Sequence, residues 1–186
     1  MGVMAKASQV ILLVEDSHQQ QFIFRYLSRL GFGTHAMRVV KSPSGAGSAE
    51  HWIRERFAIE VEAYRRRQAQ TKLVVLIDAD AYSVPQRIQQ LDEALRDAGT
   101  PPISAAEDAI ARLVPRRNIE TWSLCLNCVR VDEDNDYKRM RDNWSEQIRT
   151  AGDAMYAWTR PNAVAPPVCV ESLRSGIGEL QEAGLC

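Results

Sequence analysis

The sequence predicts an α/β fold, a mostly parallel sheet flanked by helices, built as a single domain over residues 1–186. Three observations carry this expectation. Two strand-like apolar runs, Val10-Ile11-Leu12-Leu13-Val14 and Leu73-Val74-Val75-Leu76-Ile77, are separated by stretches with helical spacing. Each run ends in carboxylates, Glu15-Asp16 after the first and Asp78-Ala79-Asp80 after the second. No internal repeat or low-complexity tract points to a different architecture.

Taken in order, the first run leads into residues 17–30, where Phe22, Ile23, Tyr26, Leu27 and Leu30 recur at helical spacing and Gly31 closes the segment. Asp16 directly precedes that helix and reads as its capping residue. Residues 32–40 read as a second strand, followed by the loop Lys41-Ser42-Pro43-Ser44-Gly45-Ala46-Gly47-Ser48. A helix is expected from Ser48, carrying Trp52, Ile53, Phe57, Val61 and Tyr64 and ending in Arg65-Arg66-Arg67. The Asp-x-Asp strand comes next, then a polar helix over residues 84–98, broken by Gly99-Thr100-Pro101-Pro102. Residues 105–113 form a short element, and Glu120-Thr121-Trp122 lies on another helix. A core of residues 9 to about 128 is thus expected, with 129–186 as a helical extension whose last turns carry Leu173, Ile177 and Leu180.

Composition excludes several function classes. The 45% apolar and 25% charged content is that of an ordinary globular chain, and 186 residues suffice for a substantial core. A net charge of −1 rules out a surface that attracts nucleic acid everywhere, so any such binding needs a local basic face. No run reaches membrane-spanning length, and the segment MGVMAKASQ lacks a signal-peptide pattern and fits the myristoylation pattern poorly. A cytoplasmic, reduced protein with no membrane partner is expected, and a homo-oligomer is allowed. Cys125 and Cys128 have C-x-x-C spacing, but no second pair or paired His follows, so buried structural thiols are expected.

The carboxylates carry the functional argument. In an open parallel sheet, ligands bind outside the carboxyl ends of the strands. Two adjacent strands ending in acids would gather Glu15, Asp78 and Asp80 at one edge, with the two aspartates on one side of an extended segment. Clustered carboxylates repel unless a cation sits among them, and oxygen ligands suit Mg²⁺ or Mn²⁺. Glu120 lies in Arg116-Arg117-Asn118-Ile119-Glu120-Thr121-Trp122, which either forms a surface ion-pair patch or brings a carboxylate to the metals and Arg116 and Arg117 to a phosphate. Lys41 is a further phosphate candidate. The Ser/Gly loop could cradle phosphate at a helix N-terminus, although it lacks a P-loop signature, and Arg65, Arg66 and Arg67 are either nucleic-acid contacts or a solvated helix end. His18, His35 and His51 have no zinc spacing, though His18 lies three residues past Glu15. The run Asp132-Glu133-Asp134-Asn135-Asp136 fails as a calcium loop, since Tyr137 and Asn143 stand where Gly and Glu are needed.

The order Val14-Glu15, then Asp78-x-Asp80, each closing an apolar strand, resembles the Toprim domain of topoisomerases, primases and OLD-family nucleases. Asn118-Ile119-Glu120-Thr121-Trp122 is similar to a stretch of the small stand-alone, RloB-like Toprim group. The resemblance covers residues 9 to about 128. It implies a compact Rossmann-like sandwich, Glu15 as general acid/base, Asp78 and Asp80 as Mg²⁺ carboxylates together with Glu15, and Glu120 as an added catalytic acid. It also implies a nuclease acting on DNA or RNA phosphodiesters, in phage defence or DNA processing, with an OLD-type ATPase partner. Two departures stand out: Asp16 occupies a position often held by Gly, and Gln19 replaces a second acid. Loss of that acid would weaken a metal position or mark a non-catalytic binding module. The string from Ile11 to Ser17 also resembles the start of a response-regulator receiver. The second acidic strand arrives too late for that alternative, and no strand-end Lys-Pro follows.

Overall fold

The structure, a computed structural model, describes residues 9–44, 47–67, 70–164 and 169–186. The N-terminal segment considered for a leader, and Gly45 and Ala46 of the Ser/Gly loop, lie outside the described residues. Strands β1 (Gln9–Val14), β2 (Met37–Lys41), β3 (Thr71–Leu76) and β4 (Ile110–Leu113) form one sheet in the order β2-β1-β3-β4. Every pairing is parallel, and β1 pairs with β3 from Gln9 opposite Thr71 to Val14 opposite Leu76. The helices are α1 (Ser17–Arg29), α2 (Ala49–Arg66), α3 (Val84–Asp97), α4 (Ile119–Leu126), α5 (Ser145–Trp158) and α6 (Glu171–Glu182). This is the expected α/β sandwich.

Strand alternation builds two cores. Val10, Leu12, Val14, Val74 and Leu76 face one layer with Phe22, Tyr26, Trp122, Ile148 and Leu173, contributed by α1, α4, α5 and α6. Ile11, Leu13, Leu73 and Val75 face the other with Ile53, Phe57, Val61, Leu91 and Leu95 from α2 and α3. Burial on both faces explains why β1 and β3 read as continuous apolar runs. Each such side chain contributes roughly 1.5–3 kcal/mol when fully buried. Because β2 lies on one side of β1 and β3 on the other, the chain reverses direction across the sheet between β1 and β3. Ligands favour such a switch point.

Several local expectations are corrected. Residues 32–40 are not one strand: a 3-10 turn, Thr34–Ala36, precedes β2. Only Ile110–Leu113 of the 105–113 stretch is regular, because Asp108 instead accepts from the Ser104 N–H at 3.0 Å and from Arg65. Helix α5 falls in the expected helical extension, but the sequence does not mark its span, since its buried positions, Ile148, Ala151, Gly152 and Met155, include two small residues that weaken the apolar signal. Nor is the stretch after 128 peripheral, for Trp144, Ile148, Leu173 and Leu180 are buried in the same core as β1. Among the described residues no helix is long and apolar enough to cross a membrane.

Candidate functional site

The switch point joins the two acids named by the strand ends. Glu15 leaves β1 and Asp78 lies two residues beyond β3, and the Asp78 N–H donates to Glu15 Oε1 at 2.6 Å. Asp16 caps α1 by accepting from the Gln19 N–H at 2.9 Å. That first turn points Gln19 inward, where it is fully buried between the two acids. Its Oε1 accepts from the Glu15 N–H at 2.8 Å and its Nε2 donates to Asp78 Oδ1 at 3.0 Å. Burial pushes the Glu15 carboxyl up to about 7, assisted by the nearby Asp80 charge and opposed by the Asp78 N–H. Burial, and then the Glu15 charge, raise Asp78 well above the usual carboxylate range.

Asp80 departs from expectation. It adopts a left-handed conformation, φ 53°, so residues 78–80 are not extended and the two aspartates do not share an environment. Asp78 is 2% exposed, while the Asp80 side chain is 54% exposed. Three arginines fix this segment through its carbonyls. Buried Arg87 donates to Asp78 O at 3.0 Å and to Glu50 Oε2 at 2.6 Å. Arg116 Nη1 reaches the Tyr82 carbonyl at 2.8 Å, and Arg117 Nη1 reaches the Asp80 carbonyl at 3.0 Å. Arg116 also pairs with Asp134 at 2.7 Å. These guanidinium groups therefore hold the loop, and among the described residues no cation pairs directly with the Asp78 carboxylate. Lys41, opposite Val14 at the same sheet edge, donates to Ser17 Oγ at 3.3 Å.

Glu120, on the first turn of α4, is fully buried, and its Oε1 lies 2.6 Å from Nδ1 of His18 on the first turn of α1. Its Oε2 is buried without a partner. Over the site runs the acidic segment rejected as a calcium loop. Asn118 Nδ2 donates to Asp136 Oδ1 at 2.7 Å, and Glu133 accepts from Ser172 Oγ at 2.7 Å. This pinning places the exposed 3-10 turn Lys138–Met140 beside the acids. Desolvation lowers the Lys138 pKa, but the carboxylates of Asp78, Glu120, Asp16 and Asp80 outweigh it and raise the net value. Lys138 forms no direct ion pair among the described residues. Sequence reasoning missed Lys138 as well as the pairings of Gln19 and His18. The only sequence signal was the basic cluster Lys138-Arg139-x-Arg141 just after the acidic run.

Other candidates lie apart from this cluster. Arg65 pairs with Asp108 at 2.6 Å and binds the Pro101 carbonyl, and Arg66 pairs with Glu62, so this run works as a helix-end clamp. Cys125 is a buried thiol, as expected, but its C-x-x-C partner Cys128 is exposed, against expectation, because the helix ends at Leu126 and Cys128 turns out in a left-handed conformation; Cys169 is buried and Cys186 exposed. Among the described residues, no three His, Cys, Asp or Glu side chains converge closely enough to cage a metal. Comparison of the chain with protein-family models, curated proteins and solved structures found no match.

Proposed function

We propose that the chain is a Toprim-like, divalent-metal-dependent phosphodiesterase acting on nucleic acid, DNA or RNA. The observation that carries this reading is the gathering of Glu15 and Asp78 at the switch point, where the Glu15 carboxyl accepts from the Asp78 N–H, the buried Gln19 amide donates to the Asp78 carboxyl, and both carboxyls are raised in pKa. Perturbed carboxyls clustered at such a position are the mark of a site prepared for chemistry. The donor set is all oxygen, which suits Mg²⁺ or Mn²⁺. Mg²⁺ usually keeps several waters and needs only one or two protein carboxylates plus substrate phosphate. Asp78 and Glu15 would hold the ion, and Asp80, turned away into a more exposed position, would add negative charge from the rim. Bound there, it would supply charge stabilisation to the phosphate and acidify water.

The remaining roles fall to the chain itself. Glu15, near 7, is part protonated at neutral pH, as a proton-transfer group requires. Lys138 beside the acids, with the neighbouring exposed Arg139 and Arg141, would supply the local positive charge that a weakly acidic chain needs to draw in a phosphate backbone. Arg116 and Arg117 act indirectly, by fixing the Asp80 loop. A partner ATPase belongs to the same proposal through the family resemblance alone.

The test is cleavage of single- and double-stranded DNA, RNA and tRNA with Mg²⁺ or Mn²⁺, using wild type, Glu15→Ala and Asp78→Asn, beside calorimetric metal binding. Cutting that needs metal and disappears in both variants is expected. Metal binding that persists in Asp78→Asn, or cutting that survives it, refutes the assignment. A second reading, a non-catalytic nucleic-acid-binding module, is favoured by Gln19, whose amide satisfies Asp78 without a cation. Nucleic-acid binding with neither metal binding nor cleavage would select it.

A further inference from the structure

We propose that His18 is a catalytic residue, the general base that activates water in the phosphodiester reaction above, and that Glu120 is its positioning residue. This rests on that reading and deepens it. Both residues stand on first helical turns, His18 in α1 and Glu120 in α4, and the packing of those helices brings together positions far apart in the chain.

The two partners differ in accessibility. The Glu120 side chain is 0% exposed, so no substrate touches it, while the His18 side chain is 33% exposed. A buried carboxylate needs a hydrogen-bond donor, and with Oε2 unpartnered the only donor reaching Glu120 among the described residues is His18 Nδ1, at 2.6 Å. With Glu120 as the carboxylate, which accepts only, the proton in that gap sits on Nδ1. The second nitrogen, Nε2, then carries its lone pair and has no partner among the described residues. A buried carboxylate fixing an imidazole so that its outer nitrogen can take a proton is the working part of a catalytic dyad. Glu120 also lies within the electrostatic field of Asp78, which places the dyad at the rim of the acid pair.

In the proposed step, a water oxygen bonds to phosphorus while its proton passes to Nε2. The bond from phosphorus to the leaving oxygen breaks, the electron pair stays with that oxygen, and it takes a proton from solvent. Nδ1 keeps its proton and its bond to Glu120 throughout.

Two measurements on the full chain test this. Nitrogen NMR of the imidazoles should show neutral His18 protonated at Nδ1, with Glu120→Leu, which offers no acceptor, releasing it toward the Nε2–H form common in solution. His18 found as Nε2–H in wild type overturns the proposal, whatever the activity. Cleavage of bis(p-nitrophenyl) phosphate and a mixed-sequence single-stranded oligonucleotide, with Mn²⁺, is the second. His18→Ala and His18→Asn should each lose about 10²–10⁴-fold in kcat with KM nearly unchanged, because a positioned base typically contributes that much. Asn keeps an N–H for Glu120, so His18→Asn separates loss of the base from loss of the fold. Added imidazole should restore part of the rate to His18→Ala. Cleavage unchanged in both variants, or lost without imidazole rescue, overturns the His18 role and leaves the phosphodiester reading standing. A wild type that cleaves neither probe, with His18 in the expected tautomer, overturns that reading and this step with it.

Discussion

Replacing Gln19 by glutamate would set a third carboxyl between Glu15 and Asp78, and the structure bounds what that costs. Gln19 Nε2 now donates to Asp78 Oδ1 at 3.0 Å and is fully buried. With Asp78 ionised, two unit charges at that separation repel by about 5.5 kcal/mol at an effective dielectric constant of 20. The folded protein need not bear all of this, since it can take up a proton instead. For a carboxyl with an ordinary value near 4.3, that alternative costs about 3.7 kcal/mol at pH 7 and about 1 kcal/mol at pH 5. Once protonated, the introduced carboxyl would still donate to Asp78, so little is lost beyond the proton. The folded value is raised above the unfolded one, so the penalty is absent below about pH 4 and grows as pH rises. Urea unfolding of wild type and Gln19→Glu should therefore show a deficit of about 3.7 kcal/mol at pH 7, shrinking to about 1 kcal/mol at pH 5. Mg²⁺ at pH 7 should recover part of the deficit. An equal deficit at both pH values would refute the argument and point to packing.

Glu15 offers the same linkage in reverse. Its folded value near 7, against 4.5 ordinarily, gives stability that is full below pH 4.5 and lost as pH climbs to 7. Glu15→Gln, which can still accept from the Asp78 N–H, should match wild type near pH 4.5 and exceed it by about 2–3 kcal/mol at pH 8 in urea titrations. The α6 glycines form a matched pair. A methyl at Gly176 would lie 2.5 Å from Trp122 Cη2, whereas one at Gly178 meets nothing within 4 Å. Thermal unfolding should show Gly176→Ala destabilised by about 1–3 kcal/mol and Gly178→Ala stabilised by about 0.5–1 kcal/mol.

The readable part of this fold is the part whose environment is simple. Strands β1 and β3 are buried on both faces, so Val10–Val14 and Leu73–Leu76 stand out as apolar runs, and their adjacency follows from the sheet order that such runs favour. Asp16 as a helix cap was legible because capping is a local interaction. The rest depends on long-range pairing. Gln19 looked like a lost acid until the register of β1 on β3 placed its amide against Asp78. His18 and Glu120 are 102 residues apart, and no spacing rule connects them. The cations Arg116 and Arg117 were legible as neighbours of the site, but whether a guanidinium faces substrate or a carbonyl depends on where the Asp80 loop turns.

The packing of α6 against β4 also bears on synthesis. The Tyr26 hydroxyl donates to the Leu185 carbonyl at 2.5 Å, and Trp122 Nε1 donates to Ser172 Oγ at 2.8 Å. The layer beneath the acid pair is thus closed by residues translated long after β1. A nascent chain on the ribosome can form the β1-α1-β2 unit early, but that layer stays open, with its apolar side chains bare, until residues 171–185 emerge. Such delayed, non-local closure slows folding and exposes the intermediate to aggregation. Ribosome stalling upstream of Ser172 should therefore leave the acid edge unassembled and its strands chaperone-dependent.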